Sequence, residues 1–460
     1  MAAWTAQVSH WVSHLDFAAL PDPVIEAVRR AVLDTVGCLM AGRKEPVTQI
    51  LEEKALLQGG REEATLLGTH VRLPAEVAAL VNGASAHALD FDDVNNAVQG
   101  HPSVAIFPAA LAACEWTDRD GKALICGYAA GFEVMAKLGE AIGYGHYEKG
   151  WHPTVTLGAL GAAAAAGNVL QLTPQQMAVA LSLAVSQAAG TRQNFGTMTK
   201  PFHAGNAARI GVLSARLAKA GFTADTHILE APFGFFALYS GEPVAKEQVS
   251  TALASIGKKW ALLEPGVDVK KYPCCYWTHR AADAALALRK EEGVRSEEIE
   301  QIEVATPPGG LTALIYPQPT TGLEGKFSME YVVSAAFYDG ALTFATFTDE
   351  AVQRPALRAL ETKVKKEEQP ALADGTATTL NSGHVVVRVH LTDGCTAERS
   401  VIHPSGSAKQ PLSWEQLVEK FRDCVDHGEA QLNLKVAVER IAALQEESSI
   451  RDWTASLASG

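Results

Sequence analysis

Four times in this chain a histidine or lysine stands at, or one residue before, an X-Pro junction that opens an apolar run of mostly small residues: His101-Pro102, His152-Pro153, Lys200-Pro201 and Lys271-Tyr272-Pro273. Proline is favoured at the first helical position, where its missing N–H would have no partner anyway, and it keeps the preceding residue out of helical geometry. Each His or Lys is therefore expected at a helix mouth, beside free N–H groups and the positive end of the helix dipole. Several such mouths together, with two lysines and two histidines, would make an acceptor for small carboxylates. A lysine at a helix start contributes little packing, so replacing Lys200 is expected to leave stability within about 1 kcal/mol.

The densest cluster is His87-Ala88-Leu89-Asp90-Phe91-Asp92-Asp93, followed by His101-Pro102-Ser103. Three carboxylates so close together repel unless a cation, a partner or solvent offsets them. One reading is an aspartate-rich Mg²⁺ site of the kind that holds pyrophosphate in all-helical prenyl-transfer enzymes. The other is a hydrogen-bonded acid that orients His101 or a nearby cation. The metal reading requires a second acidic set on a later helix, and residues 150–260 supply mainly His, Lys, Gln, Asn and Arg instead. The metal reading is therefore disfavoured.

His101, His152, Lys200 and His203 are the acid–base candidates. A histidine near a helix N-terminus is favoured in its neutral form, which suits a general base, while Lys200 and Lys271 suit the holding of anionic groups. His203 reads equally well as a ring that packs or caps at a helix start. GxSxG, GxxxxGK[ST] and strand-following GxGxxG motifs do not occur, so serine-hydrolase, P-loop and Rossmann chemistries lack support. Cys274-Cys275 reads as packing rather than redox chemistry. A non-catalytic helical binding protein would explain the small residues but not four ionisable helix mouths.

The elements that must position these groups are mainly helical. Up to about residue 264, Pro, Gly and Thr/Asp/Ser punctuation predicts helices at Val24 to Gly42, Pro46 to Leu57, Pro74 to Ala88, Ser103 to Thr117, Gly121 to Gly143, Pro153 to Leu170, Pro174 to Ala189 and Ala204 to Gly221. Strand signals are nearly absent there. After Pro265-Gly266, β-branched runs at Ile299 to Thr306 and His384 to Leu391, with a return at Thr396 to Ile402, predict strands among helices at Trp277 to Glu292, Ser328 to Tyr338 and Pro355 to Val364. The charged run Lys363 to Glu368 reads as a solvated face. From Ser413 to Leu444 the pattern is helical again, so the expected architecture is mainly α: a large all-helical domain, 1–264 with 405–460, and a smaller α+β lid domain, 265–404.

With 460 residues, 47% of them hydrophobic, the chain has ample core for more than one domain. A formal net charge of −13 argues against a nucleic-acid partner. Seven cysteines without CxxC spacing suggest neither a disulfide framework nor a structural zinc, hence a reducing compartment. Residues Met1 to Leu20 show no secretory or transit signature, so the expected location is cytoplasmic. The uncharged stretch Pro153 to Leu170 approaches the length of a membrane span, but alanine and glycine provide little transfer energy, and a buried helix is expected.

The segments His87 to Ser103, Gly150-Trp151-His152-Pro153-Thr154, Lys200 to Ala208, Lys271 to Cys275 and Lys326 to Gly340 resemble, in order and at comparable spacing, those of the MmgE/PrpD family. That family includes 2-methylcitrate dehydratase, cis-aconitate decarboxylase and iminodisuccinate epimerase. The resemblance runs from about residue 8 to 450 and implies a large helical domain, a smaller lid domain, a homodimer, and metal- and cofactor-free proton transfer next to a carboxylate. It implies a lyase, dehydratase or decarboxylase, acting on a small di- or tricarboxylate, with an epimerase as the alternative. By resemblance to the decarboxylase branch, the active-site positions are Asp90, His101, His152, Lys200, Lys271 and Tyr316. His101 and His152 would exchange protons, Asp90 would set a histidine's tautomer or orientation, and the two lysines would hold carboxylates. Where that branch has a Thr-Trp-His stretch, this chain has Val94-Asn95-Asn96.

Overall fold

The computed structural model describes residues 3–374 and 382–458. The chain forms two units, one comprising Met1–Gln193, Met198–Asp268 and Ser413–Gly460, the other Asn194–Thr197 and Val269–Leu412. In the first unit run α1 (Trp4–His14), α2 (Asp22–Gly42), α3 (Pro46–Gln58), α4 (Ala75–His87), α5 (Ser103–Thr117), α6 (Gly121–Ile142) and α7 (Gly145–Glu148). They are followed by α8 (Pro153–Thr156), α9 (Gly158–Val169), α10 (Pro174–Val185), α11 (Thr199–Lys219), α12 (Phe235–Tyr239) and α13 (Lys246–Ala254). Between α3 and α4, two short strands, β1 (Ala64–Thr65) and β2 (Arg72–Leu73), pair antiparallel, so this unit is not purely helical.

Small residues determine how closely these helices pack. A Cβ on Gly83 of α4 would come within 2.8 Å of the Gly205 Cα on α11, and one on Gly205 would strike the Leu80 carbonyl oxygen. The two helices therefore cross almost backbone to backbone. His87 lies four residues beyond Gly83 and Lys200 five before Gly205, so the crossing carries the end of one helix to the start of the other. The Pro153 to Leu170 stretch forms α8 and α9, buried at nearly every position, and no helix among the described residues is long and apolar enough to cross a membrane.

The second unit contains α14 (His279–Glu291), α15 (Gly322–Gly325), α16 (Met329–Asp339), α17 (Asp349–Val352) and α18 (Pro355–Glu361), with β3 (Ile299–Thr306), β4 (Val364–Glu368), β5 (Val385–Leu391) and β6 (Thr396–Val401). The four strands form one sheet in the order β4-β3-β5-β6, in which β3 and β4 run parallel and the other pairs antiparallel. Helices α14 and α16 pack against it, and β3 buries Ile302, Val304 and Thr306 in alternation. The charged run read as a solvated face is largely exposed and forms β4, an edge strand whose lysines and glutamates suit an unpaired edge. The chain then returns to the first unit as α19 (Trp414–Gly428), α20 (Leu434–Ala442) and α21 (Ile450–Ser456), and α19 packs along α2.

Candidate active site

Helix α4 ends at His87 and runs directly into the acidic loop. Asp90 holds a left-handed backbone, φ 53°, a conformation that aspartate tolerates better than most residues. Helix α11 contributes Lys200 and His203, three residues apart and hence on one face. His152 is set by a short antiparallel pairing in which its N–H bonds to the Gly190 carbonyl at 3.0 Å and the Arg192 N–H to that of Gly150 at 2.9 Å.

Asp92 is the hub. Its two oxygens each lie 2.8 Å from the Nδ1 of a different imidazole, His87 on one side and His101 on the other. A carboxylate only accepts, so both histidines present Nδ1–H to it and carry their lone pair on Nε2. The His87 Nε2 then accepts from Lys200 Nζ at 2.7 Å, and the same Nζ pairs with Asp90 Oδ1 at 2.7 Å. The His101 Nε2 faces Asp90 Oδ1 at 3.5 Å. Burial raises the cost of charging Asp92, but the two imidazoles reverse this and hold it well below the usual carboxylate range. Burial, opposed by Asp92, lowers His87, so the pair is a carboxylate with a neutral imidazole.

His152 and His203 share one hydrogen between their Nδ1 atoms, 3.1 Å apart. Burial, reinforced by Lys200, pushes His152 well below the usual imidazole range. Burial likewise pushes His203 down to about 4. Behind the hub, Ser103 donates a short hydrogen bond to Asp93 and lies 2.5 Å from the Tyr128 hydroxyl. Burial, and next the charge of Asp34, raise Asp93 well above the ordinary carboxylate range.

His87, Asp90, Asp92 and His101 offer ligand atoms within 4.8 Å of one another, a spacing compatible with a metal ion. Lys200 Nζ already engages two of those atoms, Asp90 Oδ1 and His87 Nε2. A divalent ion would have to displace that lysine, so the donor set fits a fixed organic cation better than a metal.

Four of the expected residues, Asp90, His101, His152 and Lys200, lie together in the first unit. Lys271 and Tyr316 belong to the second: Lys271 is exposed, its Nζ 5.5 Å above the Tyr272 ring, and the Tyr316 hydroxyl donates to the Phe195 carbonyl at 2.7 Å. Asp92 bonds the Nδ1 of both histidines, while Asp90 pairs with Lys200 and faces the His101 Nε2. Two sequence readings need correction. Lys200 is not a lightly packed helix-start residue but is 4% exposed and ion-paired. Of the four junctions only Pro153 occupies the first helical position: Pro102 precedes α5, Pro201 sits one residue after Lys200 inside α11, and Pro273 opens no helix. The roles of His87 and Asp92 went unread, although a histidine closing a small-residue helix directly before three carboxylates was a usable signal.

The family model of the MmgE/PrpD N-terminal domain matches residues 6–248, and that of the MmgE/PrpD C-terminal domain matches residues 272–443. The chain is 32% identical over 414 residues to cis-aconitate decarboxylase of Homo sapiens, covering 88% of this chain and 84% of that protein. It is 28% identical over 441 residues to cis-aconitate decarboxylase of Aspergillus terreus strain NIH 2624, covering 91% and 88%. It is 24% identical over 432 residues to 2-methylcitrate dehydratase of Cupriavidus necator, covering 86% and 85%. Matched by both domains of one family along most of its length, the chain belongs to the MmgE/PrpD family.

Proposed function

We propose that the protein is a lyase that acts on a small di- or tricarboxylate by moving a proton at a carbon next to a carboxylate, without a metal or organic cofactor. The observation that carries this reading is the Asp92 hub, which fixes two buried imidazoles with their Nε2 lone pairs turned away from it, beside Lys200. In dehydration, a histidine Nε2 takes the α-proton, the electron pair passes into the carboxylate as an enediolate, and lysine charge stabilises it. The pair then expels the β-hydroxyl, which a second histidine protonates to water, leaving a carbon–carbon double bond. In decarboxylation of an unsaturated acid, a protonated histidine delivers its proton to an alkene carbon. The bond to the departing carboxylate then breaks, and its electron pair forms the new double bond as CO₂ leaves.

Lys200 and Lys271 are assigned to substrate carboxylates, His101 and His152 to proton exchange, and Tyr316 to substrate contact. The greater identity to decarboxylases makes cis-aconitate the first substrate to test. Purified protein incubated in D₂O with cis-aconitate, 2-methylcitrate or iminodisuccinate, and followed by ¹H NMR, should convert at least one, equally with and without EDTA, with deuterium entering the product where CO₂ is lost and none required where water is lost. Deuterium wash-in with no loss of water or CO₂ would establish the epimerase alternative. No turnover of any of the three, or activity abolished by EDTA, would refute the proposal.

A further inference from the structure

The acidic loop is fastened from behind by a residue outside the proton-transfer cluster. Lys420, on α19, is 7% exposed and Asp34, on α2, 2%. The Lys420 Nζ lies 2.6 Å from Asp34 Oδ1, donates to the Phe91 carbonyl at 2.7 Å, and sits 3.9 Å from the centre of the Phe91 ring. Phe91 is the single residue between Asp90, which engages Lys200, and Asp92, which engages both histidines. One ammonium therefore grips the backbone between the two carboxylates.

A buried ion pair is often no more stabilising than a well-packed apolar pair of the same size, because desolvation offsets the attraction. Joining α2 to α19 does not require one. A pair in this place does fix a hydrogen-bond donor on the carbonyl whose position determines where Asp90 and Asp92 point. We propose that Lys420, held by Asp34, is a positioning residue that sets the geometry of the Asp92 hub and thereby the tautomers of His87 and His101. The kinetic arm of its test rests on the lyase reading; the spectroscopic arm does not.

The test replaces both charges with apolar groups, Asp34→Leu with Lys420→Met, so that no lone buried charge remains. The double variant should stay folded, with a Tm equal to or above that of the parent. Its histidine ¹⁵N signals, read on uniformly labelled protein without substrate, should shift from the fixed Nδ1–H pattern towards a tautomer mixture. On any substrate the parent turns over, kcat should fall roughly tenfold to a hundredfold with KM changed much less, the scale of a small misplacement of reacting groups. A folded double variant with parental histidine spectra and parental kcat would overturn the proposal. If that double variant does not fold, Asp34→Asn with Lys420→Met, which also leaves no lone buried charge and keeps the volume of Asp34, should shift the same signals in the same direction, and unchanged spectra in that variant would equally overturn it. Absence of turnover by the parent would count against the lyase reading alone, since the spectra still decide whether Lys420 positions the loop.

Discussion

Replacing Asp92 with asparagine changes one atom and breaks a constraint that the geometry makes explicit. In the parent, each carboxylate oxygen accepts one Nδ1–H at 2.8 Å. The amide offers one acceptor and one donor group, so one histidine must present a lone pair at Nδ1 and carry its proton on Nε2. His87 resists the exchange, because its Nε2 already accepts from Lys200 at 2.7 Å and a proton there would face a donor. His101 is less constrained: a proton on its Nε2 would face the Asp90 oxygen at 3.5 Å, although the exchange gives up the contact of its Nδ1–H with the Asp93 carbonyl at 3.0 Å. The substitution should thus convert His101 selectively and remove its basic nitrogen. Loss of a positioned acid–base group costs about 10²–10⁴-fold in rate. Weakened hydrogen bonds in an isosteric side chain should cost only about 1–3 kcal/mol of stability. Histidine ¹⁵N shifts, kcat/KM on the identified substrate and thermal unfolding test all three parts. Should Asp92→Asn keep kcat/KM within threefold of the parent, or should the spectra show His101 Nε2 still unprotonated, the hub argument is wrong.

Lys200→Ala should reduce kcat/KM about a hundredfold or more, whereas Lys122→Ala, at the exposed second residue of α6, should leave it unchanged. The same Lys200 variant should lose roughly 3–5 kcal/mol in denaturant unfolding, since Asp90 is left buried without its main partner. Gly205→Ala should cost about 1–3 kcal/mol by pushing α11 off α4, read as a lower urea midpoint with an unchanged slope. His146 bonds to the Tyr239 carbonyl and the Thr156 hydroxyl, and burial pushes it down to about 4. Its folded pKa lies below the unfolded value, so the unfolded chain binds more protons as pH falls, and about 2 kcal/mol of stability should be lost between pH 7 and pH 5. His146→Gln should flatten that part of the pH–stability curve. Light scattering at micromolar concentration should give the mass of a homodimer.

Helices were legible wherever proline, glycine and capping residues mark their ends, as at Thr173, whose predicted start is a full capping box. Helix α11 begins at Thr199 rather than Ala204, because a proline in the first turn sacrifices no intrahelical bond. Strand β4 was hidden because Val364-Lys365-Lys366-Glu367-Glu368 lacks apolar alternation, and an edge needs none. The X-Pro spacing brought His101, His152 and Lys200 into view, and the family resemblance drew Asp90 out of the acidic run. Neither could tell which of three neighbouring aspartates faces the histidines, since that depends on the turn at Asp90 and on the carbonyl held by Lys420. Spacing also suggested lysines at open helix mouths, whereas the glycine crossing buries Lys200 against Asp90.

The brace on the acidic loop has a consequence for how the chain is made. Lys420 and Phe91 are 329 residues apart in sequence, and the whole second unit is synthesised between them. At typical translation rates of about 5–20 residues per second, the loop waits some tens of seconds for its anchor. Until α19 arrives, Asp34 has no Lys420 to offset its burial, and α2 has an apolar flank without its final neighbour. Residues 269–412 form an almost contiguous unit whose sheet can pair while that flank is still open. The helical unit, by contrast, closes late, because its first helices await neighbours from residues beyond 412. A ribosome stalled before residue 413 would therefore hold the first helices in a protease-sensitive form, and release of the last segment would convert them to a resistant one.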